Sequence, residues 1–281
     1  MVIRLVHTLI GGVVLAHFAV AGVAAAAAPE SFSISPSPDV SHGTASSLWP
    51  AVGAVITLLP GGSFEECTGT LISPRWVLTA AHCLNGDQTV ANTTFIAQPD
   101  YGSSLGSGLP ISSFVFDPNY DGLSSDVGLI QLTDPLLIQP FVINDLAPPP
   151  VGTTLYLLGY GVTQNNQNNM HKQLGTMMIS AETSGTMTFS PSPSLACEGD
   201  SGGPVFGYTS PAGNAPVVYS TISYGNTSNC ATGASATTTR TDAVLNFILQ
   251  HATDACKLSG SQAPCDFVFR NGFDLRLGTN P

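Results

Sequence analysis

The stretch Cys197-Glu198-Gly199-Asp200-Ser201-Gly202-Gly203-Pro204 sets one serine hydroxyl on an uncrowded turn among glycines. Glycine lets the backbone come close to a bound molecule. That suits a nucleophile whose own N–H groups must reach the oxygen of the carbonyl it attacks. A serine at its ordinary pKa attacks poorly, so this chemistry also needs a base and a group to orient the base. Among the six histidines, His7 and His17 lie in the apolar N-terminal segment, and His42, His171 and His251 lie in a leader, a polar loop and a helix end. A solvated imidazole is the default at the last three. His82 differs, because Thr79-Ala80-Ala81-His82-Cys83 ends an apolar run and is tied down by a cysteine. For the orienting acid, Asp126 stands immediately before the apolar run Val127 to Leu132. A carboxylate drawn inward there must be paired, since burying a lone charge is costly.

The elements between these residues must bring them together. Short apolar runs (Ala51 to Leu59, Thr70 to Ile72, Trp76 to Thr79, Phe114 to Phe116, Val127 to Leu132, Thr154 to Leu158 and Val217 to Ile222) alternate with Gly, Pro, Asn and Ser turns. This pattern predicts many short strands in an antiparallel barrel or sandwich. One helix is predicted from Asp242 to about Gln250, with Asp242 as its cap and Val244, Phe247, Ile248 and His251 on one face. Asn165 to Asn169 is expected to be a polar surface loop, and no internal repeat is evident.

Taken together, the segment Thr68 to Cys83, the segment Asp126-Val127-Gly128-Leu129-Ile130 and the segment Gly199 to Pro204 resemble the chymotrypsin-like (trypsin-fold) serine proteases. The chain order His, Asp, Ser is that family's order. Gly159-Tyr160-Gly161 is similar to its Gly-Trp-Gly turn, and Ser223-Tyr224-Gly225 to the Ser-Trp-Gly strand that pairs with substrate. Thr239-Arg240 before Asp242 is similar to the approach to its C-terminal helix. The resemblance covers residues 40–250. It implies an all-β fold of two antiparallel six-stranded barrels with a C-terminal helix. It also implies a serine endopeptidase working through an acyl-enzyme, with Ser201 as nucleophile, His82 as base and acid, and Asp126 as orienter. The oxyanion hole would be the N–H groups of Gly199 and Ser201. No cofactor and no metal are implied.

By the same resemblance, Leu195 is the floor of the specificity pocket, Gly225 leaves one wall open and Ala236 occupies another. Ser223, Tyr224 and Gly225 would line the bound substrate. An apolar floor would leave a Lys or Arg side chain unpaired, so cleavage after apolar side chains is expected. Val40-Ser41-His42-Gly43-Thr44 stands where the family's mature N-terminus begins, which makes the chain a zymogen with Val40 as new terminus and Asp200 as its partner. Asp39 precedes that bond, so a trypsin-like activator would not cut it. Before the resemblance is applied, six cysteines in an exported chain permit fifteen pairings. The resemblance pairs Cys67 with Cys83 and Cys197 with Cys230. Cys256 and Cys265 are then left for each other, outside the family's pattern. A further family bridge is missing, since Thr188 and Phe189 stand where its cysteine would fall, and one surface loop is expected to loosen.

Arg4 and His7, the apolar run Leu9 to Val23 and the run Ala24 to Ala28 have the order of a secretory signal. An uncleaved membrane anchor is the competing reading, as the run is nearly long enough to span a bilayer. The expected organisation is therefore a signal peptide at 1–28, a leader or propeptide at 29–39, the protease domain at 40–250, and a disulfide loop and tail at 251–281. Location would be extracellular or periplasmic. Hydrophobic residues make up 43% of the 281 and charged residues 9%, with a net charge of −11. No basic cluster exists to neutralise phosphates, which argues against nucleic acid and anionic membrane. The expected partners are a protein or peptide substrate and a proteinaceous inhibitor, for a monomer. Asn92-Thr93-Thr94 and Asn226-Thr227-Ser228 are glycosylation sequons.

Two other readings compete. Gly199-Asp200-Ser201-Gly202-Gly203 also fits the Gly-x-Ser-x-Gly turn of α/β-hydrolases, but that fold wants a helix after the serine and its histidine downstream. Pro204 and the β-like Val205-Phe206 follow instead. The second alternative is a catalytically silent binding protein on the protease scaffold, which generally lacks one member of the triad.

Overall fold

The computed structural model describes residues 43–102, 108–162, 170–208, 215–226 and 234–259, all within the compact unit Pro36–Pro281. The expected signal, the leader, Val40, Cys230, Cys265, the polar loop 165–169 and the tail lie outside the described residues.

After β1 (Thr44–Ala45), six strands follow: β2 (Val52–Leu58), β3 (Phe64–Leu71), β4 (Trp76–Thr79), β5 (Thr93–Ile96), β6 (Leu109–Phe116) and β7 (Gly128–Leu132). They close into an antiparallel barrel in the order β2-β3-β4-β7-β6-β5, with β5 returning to β2. Then come β8 (Val142–Ile143), β9 (Thr154–Gly159), β10 (Gln173–Glu182), β11 (Thr186–Pro191), β12 (Pro204–Gly207), β13 (Val217–Gly225) and β14 (Ala236–Arg240). The ring β9-β10-β11-β14-β13-β12 closes on itself through β12 and β9. Both expected six-stranded barrels are therefore present. Two short strands are added: β1 pairs antiparallel with β10, and β8 pairs parallel with β13.

Closing a sheet leaves no edge strand exposed, and it changes what a strand can be made of. Val52–Leu58 is buried through six of its seven positions and reads as apolar. β14, Ala-Thr-Thr-Thr-Arg, does not, yet its Thr238 and Thr239 are buried. Both neighbours of β14 satisfy its backbone, and β-branched threonine packs well on a pleated surface. This is why β5, β10, β11 and β14 escaped the apolar-run reading. Thr70 to Ile72 and Phe114 to Phe116 are the ends of longer strands whose first halves are more polar.

One apolar core runs from Val55, Leu71 and Leu129 in the first barrel through Phe206 and Val218 to Phe247 and Ile248 of the helix. A second fills the other barrel around Leu157, Met177, Phe189 and Val205. Each such side chain fully buried stabilises the fold by about 1.5–3 kcal/mol before entropy is counted.

The helix corrects the expectation. It is α1 (Leu245–His251), with Val244 at its N-cap and no side-chain cap. Asp242 instead grips the Arg240 guanidinium, Nε to Oδ1 at 3.1 Å and Nη2 to Oδ2 at 2.6 Å. A paired, charge-assisted fork outcompetes a single hydrogen bond to a helix N–H. Thr188 and Phe189 lie inside β11, Phe189 is fully buried, and residues 183–185 alone join β10 to β11. Cys67 and Cys83 are bonded, and Cys197 and Cys256 are each disulfide-bonded to partners outside the described residues. Beyond α1 the chain does not leave the body at once: Ala252, Ala255 and Cys256 are buried.

Candidate active site

His82 follows β4, and Asp126 precedes β7, the strand that pairs with β4. The first barrel thus places both on one rim. Ser125, just before Asp126, adopts φ 53°, a conformation uncommon for a residue with a side chain. Asp126 beyond that turn is 2% exposed. Its Oδ1 accepts the His82 backbone N–H at 2.9 Å, and its Oδ2 lies 2.8 Å from His82 Nδ1. The Ser223 hydroxyl, from β13 of the second barrel, donates to the same Oδ2. Burial pushes the Asp126 carboxyl up, but the His82 ring, the Ser223 hydroxyl and the His82 N–H together outweigh it and hold the group below its ordinary value. A carboxylate kept charged against its burial fixes which imidazole nitrogen faces it.

Ser201 is brought to the same place by the turn into β12. Its carbonyl accepts the Thr68 N–H of β3 at 2.7 Å, and Thr68 Oγ1 donates to the Gly199 carbonyl at 2.9 Å. The turn needs its glycines. Gly199 sits at φ +93° and Gly202 at φ +81°, and a Cβ on Gly202 would stand 2.4 Å from the Thr68 carbonyl oxygen. His82, Gly199 and Ser201 line one cavity of about 360 Å³.

Asp200 points the other way, into the protein, and is fully buried. Its carboxylate accepts the N–H groups of Gly161 at 2.9 Å and Cys197 at 2.8 Å. Burial dominates these bonds and pushes its pKa up to about 7.

A second cavity of about 320 Å³ opens beside Ser201 on the second barrel, lined by Ala196, Ile222, Tyr224, Gly225 and Ala236 among others. Leu195, expected at its floor, is 2% exposed and belongs to the second barrel's core. Its neighbour Ala196 lines the cavity in its stead. Ser223, expected along the substrate, lines the cavity, and its hold on Asp126 is the part that sequence reasoning missed. No local signal marks it, since Ser220 and Thr221 in the same strand carry hydroxyls too. Thr68 was missed entirely. Cys67, His82 and Cys83 lie close enough to hold a metal by distance, but both sulfur ligands of the three are consumed in one disulfide.

Comparison with known proteins agrees with the fold. The sequence model of the Trypsin family matches residues 50–248. Phenoloxidase-activating factor 3 of Holotrichia diomphalia is 29% identical over 235 residues, covering 69% of this chain and 66% of that protein. Spermosin of Halocynthia roretzi is 29% identical over 189 residues, covering 56% of this chain and 49% of that protein. The chain thus spans less than two thirds of the length of these two relatives. Among solved structures, the scabies mite inactivated protease paralogue S-I1 superposes with a TM-score of 0.61 at 18% identity, covering 74% of this chain and 97% of that one. With two closed barrels, a buried carboxylate on a histidine at their junction and a family match across both barrels, this chain belongs to the trypsin family.

Proposed function

We propose that this chain is a secreted serine endopeptidase with His82, Asp126 and Ser201 as its triad. The observation that carries the reading is His82 Nδ1 held at 2.8 Å by the buried Asp126, in a cavity that Ser201 also lines. With Nδ1 so engaged, Nε2 is left to handle the proton. Ser201 Oγ adds to the peptide carbonyl and passes its proton to His82 Nε2, while the N–H groups of Gly199 and Ser201 take the developing oxyanion. The C–N bond breaks as His82 returns that proton to the amine. Water, deprotonated by His82, then cleaves the acyl ester and restores Ser201.

Apolar Ala196, Ile222 and Ala236 in the second cavity support cleavage after apolar side chains. For activation, Asp200 is already buried and desolvated, and a new α-ammonium at Val40 would supply the cation it lacks among its two described hydrogen bonds. In the uncleaved chain its raised pKa makes the protonated form the stable one. That contribution is complete below the unfolded value of 3.8 and is lost as pH rises through about 7. Cleavage after Asp39 should abolish that loss.

Labelling with an active-site serine phosphonate tests the whole reading. The processed chain should label at Ser201, and Ser201→Ala should not. A correctly processed chain that never labels supports the silent binding protein. Fastest cleavage after Arg in a peptide series would overturn the apolar preference, and an active form beginning well before Val40 would overturn the activation step.

A further inference from the structure

Resting on the peptidase reading, we infer that Glu66 and Glu198 make the leaving-group half of the cleft selective for a cationic side chain, Lys or Arg, within the first two residues after the scissile bond. A peptide whose carbonyl lies over Ser201 has two halves. The apolar cavity on the second barrel takes the side chain of the acyl half. The remaining cavity, of about 360 Å³, shares Ser201 and Glu198 with it but is walled by the first barrel, through Val55, Glu66 and the Cys67–Cys83 bridge. This is the space left for the departing amine and the residues that follow it.

That space carries negative charge where the substrate passes. Glu66 Oε2 stands 3.3 Å from the position a Cβ on Gly199 would occupy, so its carboxylate is beside the turn that presents the nucleophile. Glu198 lies at the junction of both cavities. Glu65 is on the outer rim and is held by Gln88 Nε2 at 2.6 Å. No Lys or Arg lines the cavity among the described residues. Carboxylates in a cleft with low-dielectric walls focus the field on whatever enters. An acidic leaving-group residue meets like charge there, and a basic one gains a partner.

The experiment uses the processed full chain and peptides with one fixed apolar acyl half, bearing Lys, Ala or Glu at the first or second position after the cleaved bond. At low salt the Lys peptides should show kcat/KM about tenfold above the Glu peptides, which corresponds to about 1.4 kcal/mol. The ratio should shrink as salt is raised, since screening acts on charge and not on packing. In Glu66→Gln with Glu198→Gln the Lys-to-Glu ratio should fall toward one. Because that ratio is internal to each protein, a general loss of activity in the variant does not mask it. Equal rates for Lys and Glu peptides in a chain that labels at Ser201 overturn the inference and leave the peptidase reading standing. A ratio that survives the double substitution overturns the assignment to these two residues. A chain that neither labels nor cleaves overturns the peptidase reading, and this inference with it.

Discussion

At Asp126 two opposing effects meet on one carboxyl group. Burial favours its neutral form, and the three hydrogen bonds from His82 and Ser223 favour the charged one and prevail. The Ser223 hydroxyl crosses from the other barrel, so it is the member most easily removed without disturbing the first. Ser223→Ala should cost about 1.5–3 kcal/mol at neutral pH, the usual worth of a hydrogen bond to a charged group. The sign of the pH effect follows from the lowered pKa. A carboxyl held below its unfolded value stabilises the fold above that value, and the stabilisation disappears as pH falls through the folded pKa. Without Ser223 the folded pKa rises toward the unfolded value, so the acid-side loss of melting temperature should be smaller than in the parent and complete at a higher pH. Unfolding midpoints measured across the acid range check this, and superimposable curves would refute it.

Among the elements, the segment after α1 has more work than its position suggests. The Cys256 N–H donates to the Ile72 carbonyl at 2.9 Å, and its carbonyl accepts the Ile143 N–H at 2.8 Å. Leu258 and Ser259 extend the contact to Ile143 and to Asp145. The strap thus holds the connection between the two barrels from outside. Its cysteine is fully buried and disulfide-bonded. Replacing Cys256 by Ser should remove about 2–4 kcal/mol, a fall of about 5–10 °C in Tm for a domain of this size. Scanning calorimetry reads the shift directly. Phosphonate labelling at low temperature should persist, since the strap touches neither cavity. An unchanged Tm would mean that the strap is an ornament on an already rigid connection.

On the scale of the whole molecule, the candidate site exists only where the barrels meet, and Thr68 is a principal fastening. Its N–H and hydroxyl reach Ser201 and Gly199 across the junction, and its Oγ1 accepts the Tyr160 N–H at 3.2 Å. Thr68→Val keeps the shape and the backbone bond but leaves a buried carbonyl and a buried N–H unserved. It should lower stability by about 1–3 kcal/mol and slow phosphonate labelling of Ser201 more than it weakens peptide binding. Denaturant unfolding and labelling kinetics together test this. A stable variant with parental labelling would show that the turn is held by its glycines alone. The three residues of the proposed triad were readable in the chain because each carries a local mark: glycines around Ser201, a cysteine behind His82, an apolar run after Asp126. The alternation of apolar runs and turns likewise pointed to an antiparallel barrel or sandwich, and the family resemblance narrowed this to two barrels. Other features left no such mark. Ser223 became Asp126's anchor, Leu195 turned into the core and gave its place to Ala196, and Asp242 chose Arg240 over the helix. Each of these is a competition among contacts that the fold offers at once, decided by which of them relieves the larger cost of burial. Sequence by itself determines the residue types and local periods from which barrels and a nucleophilic turn are made. Only the closed tertiary structure decides which polar groups lose their water, and therefore which of them must find each other.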